Sequence, residues 1–494
     1  PYKSFLFQGH VLDENGNKMS KSKGNVLEAK ELLEKYPVDL VRFYFMWKAS
    51  PIEPLNFSTK ELMSRPYQVI STLYHLHTFY KQNSEYDEFN LKESSIEWAK
   101  KKELLTPPDI WLLSKLQRMI ERTTETNDSC RFHEAAKAIE DFLINSLSQI
   151  YIPITKSELW DEDDSKRDRR FTIYAILAKT LKTIDILIHP FAPFTSQYLY
   201  ETIFAEKENI LLESWPKIDS SLIDEKVETS FDLLKETVSV TSAARMKAKL
   251  KRRWPLNQAL ICVNKGEKEV LESLSELVKS QMNVQNYEII EIGNSEGMEQ
   301  YLELKQRGLP VVPKIELERS AIGPKAKQDM GKLLKMFSEI DPESIIDELK
   351  KKDSYTFQIG ENSVTLDKED FVVDFEVNER YQFAKRQNLI VIISLERDDE
   401  MMAKGLIKDL ARRIQTLRKE KGYNPTDILE KASILELDQD SLNLIKDRTE
   451  DIAFLVRVKK VDFMFHGIGV IQLLEIWGES QPIRTGNTVE NFSN

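Results

Sequence analysis

The sequence predicts a multidomain protein with an α/β opening, an all-α middle and an α+β C-terminal part. Three observations point there. At 494 residues the chain is long enough for several domains of roughly 100–200 residues each. From about Glu61 to Glu206 apolar residues recur three and four apart over long stretches, with few strand signals. After about Phe231 the pattern becomes one of short β-branched runs alternating with shorter helical segments.

Taken in order, residues 5–12 read as a short buried strand, and "DENGN" supplies a turn with Asn15-Gly16 as its strongest signal. "KMSKSKGNV", Lys18–Val26, follows. Asn25 reads as a helix N-cap with Glu28 at the capping-box position. The helix "VLEAKELLEKY" then runs to Pro37, which ends it. Asp39 reads as the cap of the next helix, "LVRFYFMW", which is nearly all apolar and therefore buried. Four long helical patterns make a bundle: "RPYQVISTLYHLHTFY", "DIWLLSKLQRMIERTTETN", "RFHEAAKAIEDFLINSLSQIYI" and "RFTIYAILAKTLKTIDILIHPF". "DEDDSKRDRR" reads as a loop between the third and fourth, and "SWP" at Ser214–Pro216 as the exit. "QALICVN", a helix near 266–280 and "YEIIEIG" read as β-α-β. "VVPKIELE", two helices, "YTFQIG", "SVTLD", "FVVDFEV" and "LIVIISLE" continue a strand-rich part. A long helix from Asp399 to Gly422 and a strand near Ala432–Leu437 close it. The expected boundaries are 1–60, 61–225, 226–310, 311–466 and a less patterned tail, 467–494.

Composition narrows the function classes. Apolar content of 41% and charged content of 31% are ordinary for a soluble globular protein. No run of about 18 apolar residues indicates a membrane span. Two distant cysteines, Cys130 and Cys262, exclude a disulfide scaffold and a Cys-rich zinc site, and suit a reducing, cytoplasmic compartment. No signal peptide is present, and an opening at Pro1 directly on a strand-like segment reads as a fragment. A net charge of −11 argues against wholesale nucleic-acid coating, but the distribution is uneven. Thr237–Gly266 holds no acid, yet carries Arg245, Lys247, Lys249, Lys251, Arg252, Arg253 and Lys265, with Trp254 beside the densest part. A second run carries Arg412, Arg413, Arg418, Lys419 and Lys421. Each run is either a solvated helix face or a phosphate contact.

The lysine-rich turn has its own logic. Lys18 and Lys21 are three apart, with Ser20 and Ser22 interleaved and Gly24 behind. A mobile turn of this kind can present two ammonium groups and two hydroxyls to one polyanion, with the positive end of the following helix nearby. Phosphoryl chemistry asks for that, because its catalysis is mostly positioning and electrostatic stabilisation. The residues alone leave a phosphate-ester site and a solvated turn both open.

"KMSKS" is the complete signature loop of class I aminoacyl-tRNA synthetases, and its surroundings, "GHVLDENGNKMSKSKGNV" and "EKYPVDLVRFYF", resemble theirs. Pro37 replaces the glycine of the family pattern. "HPFAPFTSQYLYE", His189–Glu201, is similar to an element of the anticodon-binding bundle in the isoleucine, valine, leucine and methionine branch. "FMWKASPIEPLNFS", "KRRWPLNQALI", "AIGPKAKQDMGKLL" and "LARRIQTLRKEKGYNPTD" resemble the isoleucine members, especially the archaeal or eukaryotic-like type. The resemblance reaches to about Phe465.

What it implies can be set out by residue. Lys21 contacts ATP phosphates in the transition state of adenylate formation, and Lys18 steadies the same pyrophosphate or the loop. Ser20 and Ser22 shape the loop and bond phosphate. Gly9, His10 and Val11 supply backbone near the adenine; His10 is left off the catalytic residues. Residues 1–60 are the end of a Rossmann-type catalytic domain with a stem-contact region, and 61–225 the anticodon bundle. Arg245, Lys247, Lys249, Lys251, Arg252, Arg253, Trp254, Arg412 and Arg413 are tRNA contacts. The implied partners are ATP with Mg2+, isoleucine and tRNA(Ile), with no membrane, no metal site in this chain and a monomeric state. The H-I-G-H-like motif of the family and its editing domain are expected before Pro1, so this chain alone is expected to be inactive. A valine enzyme is the runner-up, but it is expected to end in basic heptads. A non-catalytic tRNA-binding descendant is the third reading, against which the intact Lys18 and Lys21 speak.

Overall fold

The computed structural model describes residues 6, 8–161, 163–204, 207–360, 362–423, 427–435, 437–464 and 473–477. They divide into two compact units, residues 1–231 and 232–494.

The first unit opens on two parallel strands, β1 (Val11–Leu12) and β2 (Leu55–Asn56), joined through α1 (Ala29–Lys35) and α2 (Val38–Lys48). The expected strand over 5–12 forms a ladder only at Val11–Leu12; residues 5 and 7 lie outside the described residues. Leu32, Leu40, Val41, Tyr44, Leu55, Phe57 and Leu62 form the core beneath. Two expected caps are corrected. Helix α1 starts at Ala29 after Glu28, with no side-chain cap, because the Asn25 carboxamide is spent on the preceding loop. Asp39 lies inside the first turn of α2 and is buried; its Oδ2 accepts from the Thr195 N–H at 2.6 Å, so it caps a different helix, α10 below.

After α3 (Thr59–Leu62) come the bundle helices: α4 (Arg65–Tyr86), α5 (Ile96–Lys101), α6 (Pro107–Asp128), α7 (Phe132–Asp141), α8 (Ile152–Leu159), α9 (Arg167–Ile188) and α10 (Pro193–Ile203). A π-helical stretch, Phe142–Tyr151, joins α7 to α8, and Pro153, which lacks an N–H, sits just past it. The expected loop "DEDDSKRDRR" is half helix. Helix α9 starts at Arg167 because Arg169 and Arg170 have carboxylate partners from other parts of the bundle: Arg169 Nε reaches Glu158 Oε2 at 2.6 Å, and Arg170 Nε reaches Asp87 Oδ2 at 3.0 Å. Tyr151 donates to Asp109 Oδ1 at 2.8 Å, and His77 Nε2 meets Asp185 Oδ2 at 2.9 Å between α4 and α9.

Helix α11 (Glu225–Lys247) follows. The second unit carries β3 (Leu256–Asn264), α12 (Glu267–Glu272), α13 (Ser275–Met282) and β4 (Val284–Ile292), the expected parallel strand pair joined by two short helices where one was expected. Then follow α14 (Gly297–Gln306), β5 (Val311–Leu317), α15 (Arg319–Ala326), α16 (Met330–Glu339) and α17 (Pro342–Lys352), three helices after β5 where two were expected. A hairpin of β6 (Ser354–Ile359) and β7 (Asn362–Asp367) precedes β8 (Phe371–Val377), which pairs antiparallel with β5. Strands β9 (Tyr381–Arg386) and β10 (Leu389–Ser394) join β3 and β4 in one sheet, ordered β4-β3-β10-β9. That sheet takes strands from both sides of residue 310, so 226–310 and 311–466 are not separate layers. Helix α18 (Asp399–Glu420) leads to β11 (Leu429–Leu435), α19 (Gln439–Ile445), α20 (Thr449–Val456) and β12 (Val458–Met464). In the tail, β13 (Leu473–Trp477) pairs antiparallel with β11; the rest lies outside the described residues.

Candidate functional site

The lysine-rich loop stands on a braced base. Asp13 accepts the N–H groups of Asn15 at 3.0 Å and Asn17 at 2.8 Å through Oδ1, which shapes the turn closed by Gly16 at φ +80°. Its Oδ2 accepts from Asn25 Nδ2 at 2.9 Å. Asn25 also accepts the Ser20 N–H at 2.9 Å and donates to the Lys18 carbonyl at 3.3 Å. One carboxamide thus ties the entry and exit of the loop to the turn before it. The Asn25 bond, with the backbone of Asn17, holds the Asp13 carboxyl below its ordinary value. Met19, half-buried, packs on the core formed by α1, α2 and β2, which gives the loop an apolar anchor.

Above this base the chain makes a single 3-10 turn, Lys21–Lys23, closed by Gly24 at φ +67°. The Ser20 and Ser22 hydroxyls lie 3.2 Å apart. Lys18, Lys21 and Ser22 are exposed. The Lys21 side chain is 87% exposed, with Glu28 Oε1 at 3.7 Å, a contact that water screens. The loop therefore offers ammonium and hydroxyl groups outward from a fixed footing, the arrangement a polyanion needs. The dipole expected from a helix at Val26 is corrected: α1 begins three residues later and has only seven residues. Asp13 and the bracing role of Asn25 escaped the sequence reading. An Asx turn at Asp13, five residues before Lys18, was the available signal.

Position 9, just before β1, tolerates no side chain. A Cβ there would lie 2.0 Å from the Glu53 carbonyl oxygen, and the Gly9 N–H already donates to Pro51 O at 2.8 Å. A cleft of about 450 Å3 opens along this segment, lined by Gly9, Val11, Arg42, Phe45, Met46 and Glu53 among others.

The basic segment is less available than its sequence suggests. Arg245 is only 2% exposed. Its guanidinium donates to the carbonyls of Trp254 at 2.7 Å, Lys251 at 3.3 Å, Met282 at 2.9 Å and Asn283 at 3.0 Å. Burial first, then Arg252 and Arg397, pull it down to about 10. Asp409 on α18 neutralises part of the rest: Arg253 Nη1 lies at 2.6 Å, Lys251 Nζ at 3.4 Å and Trp254 Nε1 at 3.3 Å. Trp254 also covers Gly405, where a Cβ would meet its ring at 2.5 Å. Arg245 thus lies buried where a surface contact was expected, Trp254 is half-buried against Gly405, and Asp409 pairs with two cations of a window that holds no acid of its own. Lys247 is exposed and donates to Phe383 O at 3.2 Å. Lys249, Arg252 and Arg412 are exposed and Arg413 is half-buried. Arg418, from the second basic run, is 5% exposed and donates to the carbonyls of Asp427 at 2.7 Å and Arg457 at 3.0 Å.

No helix among the described residues is long and apolar enough to cross a membrane. Among the described residues no group of three His, Cys, Asp or Glu is placed to hold a metal ion.

Known proteins match this chain along most of its length. Residues 1–58 match the family of class I tRNA synthetases for isoleucine, leucine, methionine and valine. Residues 109–261 match the anticodon-binding domain of tRNA ligases. The isoleucine–tRNA ligase of Methanopyrus kandleri is 27% identical over 454 residues, covering 91% of this chain and 40% of the relative. That of Archaeoglobus fulgidus is 29% identical over 475 residues, covering 94% of this chain and 42% of the relative. That of Clostridium tetani is 28% identical, covering 86% and 39%. The chain thus spans about two-fifths of the length of these relatives.

Proposed function

This chain is a homologue of the class I isoleucine–tRNA ligases over about nine-tenths of its length, and from that premise we propose that it serves as the C-terminal part of such an enzyme. In the reaction, an oxygen of the isoleucine carboxylate bonds to the α-phosphorus of ATP, the bridging bond to the β-phosphate breaks, and pyrophosphate leaves. The acyl group then passes to a terminal ribose hydroxyl of tRNA(Ile). This chain supplies the lysine-loop half of the ATP site and the parts that bind tRNA.

The observation that carries the reading is the Lys18–Ser22 loop, braced by Asn25 and carrying an outward, almost unpaired Lys21. As pyrophosphate departs, negative charge grows on its oxygens, and the Lys21 ammonium opposes it. Lys18 and the Ser20 and Ser22 hydroxyls hold the same group in place. Mg2+ arrives with ATP, where phosphate oxygens are its natural ligands.

The test is isoleucine-dependent ATP–pyrophosphate exchange in the complete ligase. Lys21→Ala should lower the rate by about 10²–10³, the usual effect of removing one transition-state contact worth roughly 3–4 kcal/mol. Its tRNA affinity should stay unchanged. An exchange rate within twofold of the unaltered enzyme excludes the role.

A further inference from the structure

The second unit contains a cleft of about 280 Å3 where the end of α13 and the start of β4 face α18. Lys279, Lys404, Lys408 and Asn283 line it, together with Glu276. Its charge is unbalanced. Lys404 pairs with Glu400 at 2.6 Å. Lys408 Nζ has Asn283 Oδ1 at 3.2 Å. Among the described residues no carboxylate lies within ion-pair distance of Lys279, Lys408, Arg252 or the buried Arg245. Asn283 connects these groups: its side chain donates to the Arg252 carbonyl at 3.0 Å, and its own carbonyl accepts from Arg245 at 3.0 Å. The carbonyls at the end of α13, which would otherwise draw a cation into the cleft, are already taken by Arg245. Burial, Lys404 and Arg245 together hold the Lys408 ammonium below the usual lysine range, in that order of weight. A charged cluster of this kind is repulsive until an anion arrives.

We propose that this cleft, with Lys279 and Lys408 on its walls and the exposed Arg252 tied to it by the bond from Asn283 to its carbonyl, binds successive backbone phosphates of tRNA. The inference rests on the reading of the chain as a tRNA-binding part of a ligase. Lys279, Lys404, Lys408 and Arg252 are all exposed, which suits contact with a polyanionic strand. The tRNA surface thereby centres on Arg252 and the cleft lysines, not on Arg245 and Arg253, which are engaged internally.

Binding of a tRNA(Ile) transcript to the 494-residue chain, followed by fluorescence anisotropy at several salt concentrations, tests this. Each phosphate contact contributes about 0.7–0.9 to the slope of log affinity against log salt. Lys279→Gln with Lys408→Gln should weaken binding at low salt and flatten the slope by roughly 1.5–2, with the melting temperature unchanged. Lys408→Arg, which keeps the charge, should keep the slope. If the double variant melts early, Arg252→Gln alone should flatten the slope by about one contact. An unaltered chain that binds tRNA, beside variants with its affinity and slope, overturns the cleft and leaves the ligase reading standing. An unaltered chain that does not bind tRNA overturns both. Inorganic tripolyphosphate held by these lysines, with tRNA affinity indifferent to their loss, assigns the cleft to a free anion and also overturns the proposal.

Discussion

Asn25 braces the loop on which the proposed role of Lys21 depends, although it touches no phosphate in any reading. Its carboxamide joins Asp13 Oδ2, the Ser20 N–H and the Lys18 carbonyl, so both ends of the loop depend on it. Asn25→Ala should leave the fold intact and slow ATP–pyrophosphate exchange by up to about 10²-fold, the scale on which small misplacements act. Asp13 reports the same bond independently. Its folded value lies below the ordinary 3.8, and the Asn25 side chain is the largest cause. A depressed carboxyl contributes loop order that is complete above the ordinary value and is lost as pH falls through the folded one. In Asn25→Ala the Asp13 titration, followed by carboxyl carbon NMR, should move up toward 3.8. A titration that does not move would show that Asn25 is not the brace.

At the scale of elements, α4 and α9 are joined by a buried polar pair. His77 is 1% exposed and Asp185 fully buried; His77 Nδ1 also meets the Leu73 carbonyl at 2.8 Å, while Asp185 Oδ1 has no partner. Removing one member strands the other. His77→Ala should destabilise the chain by about 3 kcal/mol or more, because a carboxyl is left buried without its partner. Asp185→Asn retains an acceptor for His77 and should cost less. Thermal or urea unfolding of the two variants compares them, and equal losses would show that packing and not pairing matters. Burial raises the Asp185 carboxyl to about 6, with His77 opposing. Between the ordinary 3.8 and about 6 the folded state binds more protons at this site than the unfolded chain. The contribution of Asp185 to stability therefore falls as pH rises through that window. Asp185→Asn should remove that part of the pH dependence. The pair also shows what periodicity conceals. His77 and Asp185 are spaced like any core position of their helices, and a sequence does not reveal that two such positions face each other. The start of α9 was hidden for the same reason: Arg167–Arg170 look solvated until Asp87 and Glu158 come into view.

At the scale of the whole chain, the order of α/β, helical and mixed parts was legible because long apolar periods and β-branched runs survive without tertiary information. The lysine loop was legible because its residues lie together in sequence. The sheet that joins both sides of residue 310 and the neutralising Asp409 were not, since each depends on residues far apart meeting in space, while the brace at Asn25, though local, was hidden because Asn25 reads equally well as a helix cap. The same distinction bears on what the chain can do unaided. Each unit is compact, and the second has two apolar clusters, one around Ile390 and Phe375 and another around Ile414 and Ile434. The lysine loop instead rests on two strands that share two register pairs, Val11 with Leu55 and Leu12 with Asn56. Two parallel strands are a marginal platform, and the nucleotide site proposed for this loop needs the end of a wider sheet. Val11 is 38% exposed beside an open cleft, and the chain spans 40% of its Methanopyrus relative. The purified 494-residue chain should accordingly unfold cooperatively, bind tRNA with steep salt dependence and form no isoleucyl-adenylate. Mixing it with a separately produced N-terminal part of the ligase should restore exchange, and Lys21→Ala in this chain should abolish that restoration. Exchange by the chain alone would mean that the loop and its two strands suffice for ATP chemistry, and the division of labour drawn from the small sheet would be wrong.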